Sequence, residues 1–185
     1  DLPPDAGPPA PVVDDRSAVQ HRELVAQFGG EYHSPAAEHY LNNVLAKLAA
    51  ASDTPGQQAY RVTILNTPVV NAFALPGGYV GVNTGLISAS DNESEVASVL
   101  AHEITHVTQR HVARQIGIQK QMQTPMMIAM AAALLLARSR PDLASGATIA
   151  AQGGAIQAQL AYSRDFEREA DRIGFQTLQA AGFDV

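Results

Sequence analysis

Residues His102-Glu103-Ile104-Thr105-His106 read His-Glu-x-x-His. They fall in a stretch whose apolar residues, Val96, Val99, Leu100, Ile104 and Val107, recur at helical spacing, which predicts a helix from Asp91 to about Gln115. Side chains at i and i+4 share one helix face, about 5–6 Å apart at Cβ. Two imidazoles so placed can converge on one Zn2+, each at about 2.0–2.1 Å. Glu103 lies one step round the helix. It can reach a metal-bound water without being a ligand, take the water's proton and pass it to a leaving amine. A charged helix face could match the same letters by chance. Against that, the apolar residues before and within the motif turn this face partly inward, where two His and a Glu are costly unless paired or metal-bound.

A hydrolytic zinc needs a third protein ligand and an open position. His111 lies five residues past His106, about 140° round a continuous helix, and reads as a surface histidine. His21, His33 and His39 have no metal spacing to the motif and read as solvated helix residues. The better source is Glu167-Arg168-Glu169-Ala170-Asp171. Glu167 and Asp171 are four apart and share a face with Ala170 and Gly174, small residues that allow a close helix approach. Glu169 is turned about 200° from Glu167 and should face solvent. Glu167 can therefore bind a metal while Asp171 orients a ligand histidine through its free ring N–H. With Arg164, Arg168 and Arg172 nearby, an ordinary solvated acidic helix accounts for the same residues.

The remaining elements must position these groups. Asp14 to Phe28 has helical periodicity and stops at Gly29-Gly30, and Ser34-Pro35 signals a second helix with the stripe Leu41, Val44, Leu45, Leu48. Tyr60–Asn66, Val69–Leu75 and Tyr79–Asn83 read as strands. The last two should form a hairpin around Pro76-Gly77-Gly78. Pro125 opens an Ala/Met/Leu helix to Ala137, broken by Arg138 to Pro141; an Ala-rich helix with Gly146 and Gly153-Gly154 follows; the last runs from about Ser163 to Ala181 and is capped by Gly182. The longest apolar run, Met126 to Ala137, is too short for the roughly 20 residues of a membrane-spanning helix. A buried helix pair is the expectation there. The alternative is a hairpin that touches membrane or unfolded polypeptide. The fold class is α+β: a helix-rich domain with a small sheet of about three strands, spanning residues 14–185.

Composition removes whole classes of function. The 185 residues carry 12 Lys+Arg against 18 Asp+Glu, a net charge of −6 with no cationic block, so nucleic acid is excluded as a partner. The absence of cysteine excludes a disulfide framework, a thiolate metal site and a Cys nucleophile. Aromatic residues are 5% and Trp is absent, so the core must be Ala, Val, Leu and Ile in closely packed helices. Residues 1–13 are Pro-rich and polar, a linker or trimmed mature end rather than a signal peptide.

Four motifs, in order, resemble the HtpX-like and CAAX-prenyl-protease-like zinc metalloendopeptidases: Asn71-Ala72-Phe73-Ala74 with Gly77-Gly78; Asp91-Asn92-Glu93-Ser94-Glu95; His102 to His106 with Val107-Thr108-Gln109-Arg110-His111; and Glu167 to Gly174. Within that family the sequence is most similar to the periplasmic β-barrel assembly-enhancing protease group. The resemblance implies one zinc ion held by His102, His106 and Glu167, with Glu103 as general base and Asp171 as the Asp of the family's Glu-x-x-x-Asp pattern. It implies that the strand from Asn71 through Ala72 and Phe73 borders the cleft. The backbone of such an edge can pair with an extended substrate. Members of that group usually continue past the position of Val185 with a His-Pro segment and a helical-repeat domain, so the chain reads as a protease core cut from a longer protein or as a short member.

The function expected is zinc-dependent hydrolysis of peptide bonds in unfolded or misfolded envelope proteins, in the periplasm, beside the outer-membrane protein assembly machinery. The competing readings are a chaperone-like binding module with a structural or latent zinc site, and a metal-free helical interaction domain. A structural site has no need of a base at Glu103, which favours the enzyme.

Overall fold

A computed structural model describes residues 15–75, 77–139 and 141–185; for 15–17, 136–139, 141–145, 147, 148 and 151 it describes the backbone alone. The Pro-rich stretch 1–13, Pro76 of the expected turn and Arg140 of the expected helix break lie outside the described residues. The chain divides into two units. One comprises the residues up to Gln109 together with Ala170–Val185, and the other is Arg110–Glu169.

The first unit is built on a three-stranded sheet: β1 (Arg61–Leu65), β2 (Ala72–Leu75) and β3 (Tyr79–Asn83), in the order β1-β3-β2. β2 and β3 form the expected antiparallel hairpin, with Ala72 opposite Val82 and Leu75 opposite Tyr79, whereas β1 runs parallel to β3. Val62, Ile64, Val80 and Val82 point to one face and are buried with Leu41, Val44, Leu45 and Leu48 of α2 (Pro35–Ala51) and Ala97, Leu100, Ala101 and Ile104 of α4 (Glu93–Thr108). These side chains are nearly all aliphatic, and their removal from water at about 25 cal/mol per Å2 is the main term holding the unit together. On the other face, Thr63 and Tyr79 meet His21 of α1 (Asp15–Gln27), and the Phe28 and Phe73 rings lie 5.9 Å apart. A short helix, α3 (Thr84–Ala89), follows β3.

The caps expected at Ser34 and Gly182 form, and Asn92 adds another. Ser34 caps α2 with Pro35 in its first turn, and Asn92 caps α4, its side chain accepting from the Glu95 N–H at 3.1 Å. Glu95 in turn accepts from the Asp91 N–H at 2.9 Å. Gly182, at φ +83°, ends the last helix: its N–H bonds the Gln179 carbonyl and the Phe183 N–H bonds that of Leu178. This paired pattern requires a left-handed residue, which glycine adopts without a Cβ clash.

Three helix boundaries differ from expectation. α4 stops at Thr108, not near Gln115, because Arg110 takes φ 55°. No Gly or Pro marks this break. Thr105 and Thr108 hydroxyls bond back to the carbonyls of Ala101 and Thr105, a competition that weakens a helix, and the Gln109 side-chain amide is tied to the Asp53 carboxylate. A new helix, α5 (His111–Ser139), then runs through Pro125, which does not start it. Beyond it, the two helices expected at the C-terminal end are one, α6 (Pro141–Ala180). Its interior glycines cost about 1 kcal/mol each relative to Ala but do not stop hydrogen bonding.

In the second unit Ile118, Met122, Met126 and Ala129 of α5 and Ala155 and Tyr162 of α6 line shared clefts. A fully buried helix pair does not result. Met127, Ile128, Leu134 and Leu135 are each 65–72% exposed, because the stripe that α5 uses for packing lies on its opposite side.

Candidate active site

α4 supplies the central pair. His102 and His106 are one turn apart and half-buried, and their Nε2 atoms face each other at 3.1 Å. Two nitrogens bound tetrahedrally at 2.0–2.1 Å would lie about 3.3 Å apart. The pair therefore has the spacing of two ligands to one small cation. Glu103, also half-buried, is the next residue on the same helix.

The C-terminal part of α6 packs against this pair. A Cβ placed on Gly174 would lie 3.1 Å from the His102 backbone nitrogen and 3.2 Å from the Ala101 carbonyl carbon. Ala170, one turn earlier, is fully buried. The small residues thus serve the close approach expected of them. It brings Asp171 to His102, with Oδ1 2.9 Å from Nδ1. A carboxylate there favours a proton on Nδ1, and Nε2 is the ring atom that faces His106. Two imidazole nitrogens at this spacing form a donor set that suits zinc.

Glu167 lies four residues before Asp171 in the uninterrupted helix α6, and so on the same face. Beside His102 and Asp171, a pocket of about 360 Å3 is walled by Ser98, Val99, Gly174, Phe175 and Leu178. Its lining is mostly apolar, with Ser98, His102 and Asp171 as the polar members.

β2 is an edge of the sheet and packs along α4. The Asn83 N–H donates to the Asn71 carbonyl at 3.1 Å, so residues 71, 73 and 75 direct their backbone groups to β3. By alternation, Ala72 and Ala74 direct theirs away from the sheet. Asn71 is exposed, the Ala72 side chain is in the core, and the Phe73 ring covers Gly81. What this edge offers a ligand is backbone, with Asn71 at its end.

Three histidine and carboxylate readings are corrected. His111 is not a surface residue: it is 3% exposed, its ring is stacked on Phe166, and its Nε2 lies 3.1 Å from Glu169 Oε2. The 140° rotation that placed it outside assumed an unbroken helix, and the break at Arg110 cancels it. Glu169 is likewise not solvated, since Arg114 donates to its Oε2 at 2.7 Å. Burial alone would raise the Glu169 pKa, but the bonds from Arg114 and His111 outweigh it and hold it low; burial holds the His111 pKa below its usual value. His21 is not a solvated helix residue either. Its Nε2 is 2.8 Å from Thr63 Oγ1, and its ring stacks on Tyr79 at 4.5 Å. That stacking packs the Tyr79 ring against α1. No sequence signal marked these partners, because each is more than 40 residues away along the chain.

The sequence model of peptidase family M48 matches residues 35–185. A beta-barrel assembly-enhancing protease of Escherichia coli (strain K12) is 36% identical over 152 residues, 82% of this chain and 31% of that protein. A Vibrio cholerae protein described as a "Putative beta-barrel assembly-enhancing protease" is 40% identical over 153 residues, 83% of this chain and 31% of its own length. Mitochondrial metalloendopeptidase OMA1 of Arabidopsis thaliana is 37% identical over 126 residues, 68% of this chain and 24% of its own. The chain thus spans less than a third of the length of these curated relatives.

Proposed function

The chain belongs to peptidase family M48, a family of metalloproteases, and from that premise we propose that it is a zinc-dependent endopeptidase domain. The observation that carries the reading is the pair of facing Nε2 atoms on α4, with Asp171 holding the far nitrogen of one ring. His102, His106 and Glu167 are the proposed ligands. Support for Glu167 is its place one turn before Asp171 on the same helix face. When bound, zinc supplies Lewis acidity toward a water and toward the peptide carbonyl.

The chain's own residues do the rest. Glu103 takes a proton from the attacking water and delivers it to the departing amine. Asp171 holds His102 in the Nδ1–H tautomer and fixes the orientation of its ring. The outward backbone groups of Ala72 and Ala74 pair with an extended peptide, and Asn71 meets a substrate carbonyl at the end of that strand. The proposed substrates are unfolded or misfolded envelope polypeptides, in the periplasm and in company with the outer-membrane assembly machinery. Support comes from the relatives named for beta-barrel assembly.

The test is cleavage of casein by zinc-loaded protein beside Glu103→Gln. The expected result is cleavage by the unmodified chain and none by the variant, with equal zinc in both. Cleavage retained by Glu103→Gln would remove the base. Cleavage by neither, with zinc bound, would favour a binding module with a latent metal site.

A further inference from the structure

We propose that the outer face of α5 is a docking surface for an anionic lipid bilayer, lying in one leaflet and not spanning it. Val112, Ile116, Met127, Met130 and Leu134 project within a narrow arc of the helix, each 44–72% exposed. Ile128 and Leu135 widen that arc. The packing stripe Met122, Met126 and Ala129 is turned away from that arc, its centre about 100° or more round the helix. α6 carries a similar outer row, Ile149, Ile156 and Leu160. An apolar face of this extent is unusual on a surface that meets only water.

Charge identifies the occupant. Arg110–Glu169 holds seven Lys and Arg against four Asp and Glu, net +3, while the rest of the chain holds five against fourteen, net −9. No Asp or Glu occurs anywhere between residues 104 and 141. Lys120 is exposed and sits in the middle of the apolar arc, between Ile116 and Met127. Lysine is depleted from protein–protein interfaces. At a bilayer the same residue lays its methylenes among apolar groups and its ammonium at the headgroups. Residues 121–137 are uncharged, with Lys120 before them and Arg138 after them. No helix among the described residues is long and apolar enough to cross a membrane. Partial insertion parallel to the surface is what remains.

The experiment is flotation of the whole 185-residue protein with vesicles of phosphatidylglycerol and phosphatidylethanolamine, against vesicles of phosphatidylcholine alone. The protein is expected to float with the anionic vesicles, and raised salt should release it. A cation near such a surface is worth roughly fivefold in partitioning, so Lys120→Glu should weaken binding by about tenfold or more. Because the chain has no Trp, Leu134→Trp gives a single reporter. Its emission should shift blue on the anionic vesicles, while that of Val69→Trp, on the other unit, should not. Absence of flotation, equal binding to both lipids, or a Leu134→Trp spectrum that ignores anionic vesicles would overturn the proposal. So would a concentration-dependent dimer, or capture of unfolded polypeptide, that Leu134→Glu abolishes while lipid binding persists. If Leu134→Glu misfolds, the tryptophan spectra and Lys120→Glu decide alone.

Discussion

Asp171 Oδ1 lies 2.9 Å from His102 Nδ1, joining two helices whose residues are 69 positions apart in the chain. The bond sets which imidazole nitrogen is available and where it points. Removing such an outer partner of a metal ligand typically costs 10–100-fold in affinity. Asp171→Ala is therefore expected to weaken zinc binding by about that factor, read by competition with a chromophoric chelator. Asp171 is exposed, so the melting temperature of the metal-free protein should barely move. Unchanged zinc affinity would remove Asp171 from the site.

At Gly174 the two helices approach each other closely. A side-chain carbon there would press on the backbone of Ala101 and His102, which cannot yield as a flexible side chain would. Gly174→Val is expected to destabilise by about 1–3 kcal/mol through overpacking, and also to lower zinc affinity by displacing His102 from Asp171. Urea unfolding measures the first effect and metal titration the second. Destabilisation with unchanged zinc affinity would mean that the approach serves only packing.

His111 gives a prediction for the second unit. Were it a surface residue, replacing it would change stability by no more than about 0.5 kcal/mol. Buried on Phe166 and bonded to Glu169, it should cost more. His111→Phe keeps the stacking and removes the bond, for an expected loss of about 1–2 kcal/mol. His111→Ala also opens a cavity and should lose more. Denaturant midpoints that rank the two variants in the reverse order would contradict the arrangement.

His21 makes stability depend on pH. Burial, aided by Arg61 and opposed by Glu31, lowers its pKa below 6.5. Between the lowered value and 6.5 the unfolded chain binds more protons than the folded one, so stability rises with pH across that window. The contribution is complete above pH 6.5 and is lost as the pH falls through the lowered value. His21→Gln should therefore have a flatter melting temperature between pH 7 and pH 5 than the unmodified protein. Parallel profiles would show that His21 titrates alike in both states.

Local signals in the sequence carried most of the fold. Ser34-Pro35 and Gly182 end helices through groups within a few residues of themselves, and the β-rich run at Arg61–Leu65 marks a strand directly. The break at Arg110 escaped because a non-glycine residue makes it, supported by Gln109 reaching Asp53. The continuity of α6 escaped because its glycines weaken a helix without ending one.

For the site, spacing alone determined that His102 and His106 share a helix face and that Glu167 and Asp171 share another, since 3.6 residues per turn is a property of the backbone. Tertiary structure decided what those faces meet. The close approach at Gly174 puts Asp171 on His102. The sheet order leaves β2 as an edge beside α4, and the fold turns His111 and His21 inward. It also leaves the apolar outer face of α5 in solvent. Each of these depends on groups far apart in the chain brought together by burial of the common core, and no local pattern encodes which distant partner a side chain will find.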